Sequence, residues 1–97
     1  MDKTEIQKIL YKTEHPEINS NLIELGMINI LDVDETDVNL QLKLPFKEVP
    51  IKDELIATIK DAINQAEKKL RVNIEIIEMN EEEKMRFMKI AREKWAF

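Results

Sequence analysis

The chain has no cysteine, which excludes disulfides, thiolate metal sites and thiol nucleophiles. It has one glycine, so no glycine-rich loop can cradle a phosphate. Its one histidine, His15, and its one serine, Ser20, lie near each other with no orienting acid at the spacing of a catalytic triad. Aromatic residues make up 5%, too few for strand-surface stacking of RNA bases. No apolar run approaches the ~18 residues of a membrane span, and the N-terminus lacks a signal-type apolar stretch. A cytoplasmic protein is expected. With one glycine and three prolines, the chain should form long regular elements joined by short turns.

What is present is charge and a modest apolar content. The net charge of −5 opposes DNA, RNA and anionic membranes, so neither a nucleic acid nor a membrane is the expected partner. Ninety-seven residues suit one domain, 1–97, with one core. Ile6, Ile9, Leu10 and Thr13 fall on one helical face within 2–13, with Asp2 and Glu5 in capping-box spacing. Pro16 stops this helix. The connecting segment that follows ends at Gly26, where a left-handed residue hands over to a strand. Residues 27–33 are mostly apolar, as in a strand with both faces partly covered. Residues 38–44 alternate, with Val38, Leu40, Leu42 and Leu44 on one side.

Pro45 ends that strand, and a long helix is expected over 51–69. Its apolar stripe is Ile51, Leu55, Ile59, Ala62, Ile63 and Ala66, with Pro50 at the start and Lys68 and Lys69 in the last turn. A third strand spans 72–79, and Asn80 with Glu83 opens a last helix through Trp95. The expected fold is a two-layer α+β domain of order α-β-β-α-β-α, a small mixed sheet with helices packed on it. Strands two and three should be parallel.

The segments His15-Pro16-Glu17, Glu24-Leu25-Gly26-Met27-Ile28, Pro45 and Val49-Pro50 occur in an order and spacing that resemble the iron–sulfur cluster assembly domain family. That family includes SufT-like and PaaD-like proteins and the N-terminal domain of Mrp-type P-loop ATPases. The resemblance covers about nine-tenths of the chain and implies the same fold. It departs at two positions: Val49 stands where the family has its loop cysteine, and His15 stands where it has aspartate. The resemblance therefore implies a docking role, with no cofactor bound by this chain alone and any iron–sulfur cluster carried by a partner, a P-loop ATPase or a scaffold protein.

The 45–50 loop lies between a strand end and a helix N-terminus, where unpaired N–H groups gather. Phe46, Lys47, Glu48 and Val49, with His15, Glu17 and Glu24 beside them, are the expected partner-binding residues; Pro16, Gly26, Pro45 and Pro50 shape the backbone. An ordinary connection with Phe46 in the core is the competing reading of the loop. His15 beside Glu14 and Glu17 is a poor zinc ligand set, and reads as a solvated residue at a helix end. In the last helix Met88, Ala91 and Trp95 read as the packed face, leaving Phe87, Ile90 and Phe97 exposed. No catalytic constellation is legible, and no enzyme is expected. The alternatives are a general protein- or RNA-interaction module, with Lys68, Lys69 and Arg71 as a basic cluster, and a homodimer through crossed C-terminal helices.

Overall fold

Asp2 starts the first helix, α1 (Lys3–Tyr11), by accepting the Glu5 N–H on Oδ1 at 2.9 Å. Only this half of the expected capping box forms. α1 buries Ile6 and Leu10. The computed structural model describes residues 1–95.

After α1 the chain folds back on itself. Glu14 and Asn21 pair across an antiparallel bridge, and the His15 N–H donates to the Ser20 carbonyl at 3.0 Å. A single helical turn then ends at Gly26, whose φ is +74°. The Met27 N–H reaches the Leu22 carbonyl at 3.0 Å and the Gly26 N–H the Ile23 carbonyl at 2.9 Å. These are the two bonds of a Schellman motif. A Cβ at Gly26 would meet no atom within 4 Å, so the backbone, not crowding, asks for glycine.

The sheet has the order β1 (Ile28–Val33), β2 (Asp37–Leu44), β3 (Arg71–Glu78). β1 pairs antiparallel with β2, and β2 parallel with β3, as expected. The turn between β1 and β2 closes on Asp34, whose Oδ1 accepts the Thr36 and Asp37 N–H groups, each at 2.8 Å; these bonds hold its carboxyl below the usual range. The apolar run of β1 has a different cause from the one expected. The register skips Leu31 between Ile30↔Leu40 and Asp32↔Asn39, so Leu31 sits exposed in a β-bulge. The bulge resets the phase, returning Val33 to the core side opposite Val38 and sending Asp32 to the polar side.

Helices α1 and α2 (Lys52–Ala66) cover one face of the sheet. Val38, Leu40, Leu42 and Leu44 meet Ile6, Leu10, Leu55, Ile59 and Ile63 there in one buried cluster. α2 is shorter than its periodicity suggests. Ile51 is its N-cap, so Pro50 precedes the cap. At the other end Glu67 turns extended, and the Asn64 side chain donates to the Leu70 carbonyl at 3.0 Å. Delivering Leu70 to the core ends the helix at Ala66 and leaves Lys68 and Lys69 beyond it.

The opposite face of the sheet is a polar ladder. Asn29 bonds Gln41, Asn39 bonds Asp32, and Asn73 bonds both Asn39 and Asp37. α3 (Glu81–Lys94) makes none of the helix–sheet packing of α1 and α2; it crosses the end of the domain where β2 exits. The Asn80–Glu83 capping box forms in full, and Lys43 of β2 is paired with Glu83. No helix among the described residues is long and apolar enough to cross a membrane.

Candidate functional site

Where β2 ends at Leu44 and α2 has not yet begun, the chain needs a connection that reverses direction. Pro45 and Pro50 bound it. Pro45 is buried, whereas Phe46 is turned outward and 49% exposed. Its ring is not in the core; the Lys84 ammonium of α3 lies 5.3 Å from the ring centroid, within cation–π reach. Val49 is half-buried and accepts the Lys52 N–H on its carbonyl at 3.0 Å.

This loop forms one wall of a cleft of about 550 Å³. His15, Glu17 and Ile18 form a second wall, and α3 supplies the third through Phe87, Met88, Ala91, Arg92 and Trp95. α3 is pinned here by main-chain contacts: Ile18 bridges Trp95, and the Asn19 N–H donates to the Lys94 carbonyl at 2.7 Å. The lining is chiefly apolar, and two half-exposed aromatic rings, Phe46 and Trp95, stand at its rim. Such a surface suits an apolar side chain of another protein, aromatic rims being favoured anchors at interfaces.

Two side chains of α3 are placed against expectation. Phe87 is buried at 6% and Trp95 is 49% exposed. Phe87 and Ala91, one turn apart, form the inward stripe, so the helix is rotated from the phase read in the sequence. Met88 and Ile90 are half-buried, and Phe97 lies outside the described residues. The spacing of Phe87 and the small Ala91 was the available signal for this face.

His15 also departs from expectation. It is 7% exposed and lines the cleft. Nδ1 accepts the Glu17 N–H at 3.0 Å, so the neutral ring carries its proton on Nε2. Nε2 has no hydrogen-bond partner among the described residues, and none of their sealed side-chain nitrogens lacks one, so Nε2 keeps some access to solvent. Burial pushes the His15 pKa below 6.5, against the raising effect of the Glu54 charge. Because the folded value is the lower one, the unfolded chain binds more protons just below pH 6.5. Stability should be full above that pH and fall as the pH drops from about 6.5 through the lowered folded value. Urea denaturation of the native chain and His15→Gln across pH 5 to 8 checks this; the native chain should lose relative stability at the acid end, and parallel profiles would refute it.

The remaining expected site residues divide. Glu17, Glu48 and Val49 line the cleft with Phe46 and His15. Lys47 lies on the outer side of the loop near Lys52. Glu24 is outside the cleft, where it accepts the Ser20 hydroxyl at 3.1 Å and faces Lys94 at 3.6 Å. Pro16 is partly buried beside His15. The Ser20 hydroxyl is thus bonded to Glu24 and not to the His15 ring. Among the described residues no three His, Asp or Glu side chains converge to hold a metal ion.

No curated protein matches the chain. Among solved structures, a domain of unknown function, DUF59, from Bacillus anthracis superposes with a TM-score of 0.72 at 14% identity, over 94% of this chain and 91% of that one. This shows a shared fold, and the coverage takes in most of α3. A sequence model of the iron–sulfur cluster assembly protein family matches residues 3–76, which include β1, β2, α2, the 45–50 loop and the His15 wall. The chain belongs to the iron–sulfur cluster assembly protein family.

Proposed function

We propose that this protein is a non-enzymatic accessory in iron–sulfur cluster assembly or transfer, acting in the cytoplasm by docking a partner at the cleft. The observation that carries the reading is the apolar cleft between the 45–50 loop and α3, rimmed by Phe46 and Trp95. Val49, at the position of the cysteine in SufT-like and PaaD-like relatives, lies in its wall. The cluster is cargo in this reading. The chain has no thiolate, and among the described residues its carboxylates and imidazole do not gather; in this reading the ligands come from the partner. A Mrp-like P-loop ATPase or a cluster scaffold fits that role.

Anaerobic pull-down from native extract should recover such an ATPase or scaffold. Phe46→Ala combined with Lys47→Glu should reduce recovery at least about tenfold, as expected for removing one aromatic anchor and reversing one charge. Unchanged recovery, or recovery of neither class, would sink the proposal. An RNA-binding role has less support: Arg71 pairs with Asp37 at 3.2 Å, and the open sheet face carries amides and carboxylates in place of stacking rings. A homodimer through crossed C-terminal helices is also less supported, since Phe87 and Ala91 face inward.

A further inference from the structure

β3 is an edge strand, and among the described residues nothing pairs with its outer side. The other edge, β1, is interrupted by the bulge at Leu31 and carries Asp32. β3 runs from Arg71 to Glu78 without bulge, proline, glycine or lysine. Its charged residues, Arg71, Glu75 and Glu78, lie outside the Val72, Ile74 and Ile76 stripe, and a long edge without bulge or proline is a template for another strand. On its helix-side face stand Val72, Ile74 and Ile76. Ile76 remains 39% exposed, although its neighbour across the ladder, Leu42, has no exposed surface.

The phase of the edge follows from the bonds to β2. The Arg71 N–H donates to the Thr36 carbonyl at 2.9 Å and the Met79 N–H to the Leu44 carbonyl at 2.8 Å. Odd-numbered residues thus turn their backbone groups toward β2, and Val72, Ile74 and Ile76 turn theirs outward. We infer that this edge pairs antiparallel with the same edge of a second copy, centred on Ile74, joining two sheets into one.

Self-complementarity selects that occupant. A two-fold axis through Ile74 sets Val72 of each copy opposite Ile76 of the other and Ile74 opposite itself. All of these are residues with outward N–H and C=O groups, so each pair exchanges both hydrogen bonds. The apolar stripe becomes continuous and covers Ile76. On the polar face Asn73 meets Glu75. Moving the centre to Glu75 would set two carboxylates against each other, which is destabilising. Moving it to Asn73 would spend Ile76 on Leu70, already buried in the core.

The absence of native cysteine makes the test direct. In a hydrogen-bonded antiparallel pair the Cα atoms lie about 5.5 Å apart, within disulfide range. Ile74→Cys alone should therefore oxidise to a covalent dimer. Val72→Cys and Ile76→Cys should each cross-link poorly alone, but cross-link with each other when mixed. Light scattering of the native chain should give the mass of two copies at high concentration, and Ile76→Lys should weaken association at least about tenfold with an unchanged circular dichroism spectrum. A native chain that stays monomeric at the highest concentration reached, or equal cross-linking at all three positions, would overturn the inference. Should Ile76→Lys unfold, the cysteine pattern decides.

Discussion

Leu42→Ala is expected to lower the unfolding free energy by about 3 kcal/mol, within the range for a buried leucine that leaves a cavity. Leu42 lies at the centre of the molecule. It sits on β2, the middle strand, between Ile28 of β1 and Ile76 of β3, and none of its surface is exposed. The two strands beside it and the helices above it are mutually braced, so the site cannot collapse to fill the space. Against the ~5–15 kcal/mol that holds a domain of this size together, the loss is large, and the melting temperature should fall by roughly 15 °C. Chemical denaturation checks it, with Gln41→Ala on the polar face as the control, expected within about 0.5 kcal/mol of the native chain. A Leu42→Ala cost below ~1 kcal/mol would mean that β2 does not face the core as described.

Phe87→Ala is expected to release α3 and leave the sheet folded. Phe87 and Ala91 are the only buried residues of α3, and the helix has no packing on the sheet to fall back on. Truncating a buried phenylalanine costs about 3–5 kcal/mol, and an isolated helix of 14 residues is marginal in water. What remains is the half-buried Met88 and Ile90, the Lys43–Glu83 pair, the Lys84–Phe46 contact, the Trp95 bridge and the Asn19 N–H bond to the Lys94 carbonyl, each individually weak. The loss should be local, as expected where one element has few buried contacts. α3 contributes 14 helical residues beside 9 in α1 and 15 in α2, so helical ellipticity should drop by over a third. Hydrogen exchange should show amides of 84–94 unprotected while β2 keeps its protection. Global unfolding would refute the view of α3 as a separately held wall of the cleft.

Some of the site was legible beforehand because it depends on local chemistry. The 45–50 loop stands out by its prolines, and Asn80 with Glu83 announces a helix start wherever the helix then goes. The parts where the structure departs from the local pattern depend on how elements dock. Met85, Phe87, Met88, Ile90, Ala91 and Trp95 spread so widely around α3 that periodicity alone allows more than one inward face, and docking selects the stripe of Phe87 and Ala91. His15 follows a helix end, which suggests a solvated residue, yet the return of the chain at Ser20 buries it in the wall of the cleft. In β1 the apolar run fits two covered faces or one inserted residue equally well, and a single strand read alone does not distinguish them.

Residues 38–44 carry their alternation in the sequence, α1 and α2 their stripes, and Gly26 its left-handed turn, because each is a property of a few consecutive residues and their backbone. Family membership was legible for a similar reason: it rests on the order of such short signals. Strand order, the bulge at Leu31, the rotation of α3 and the cleft between α3 and Val49 were decided only in three dimensions. They follow from which apolar surfaces meet, and that choice minimises exposed area over the whole chain at once, not over any one segment.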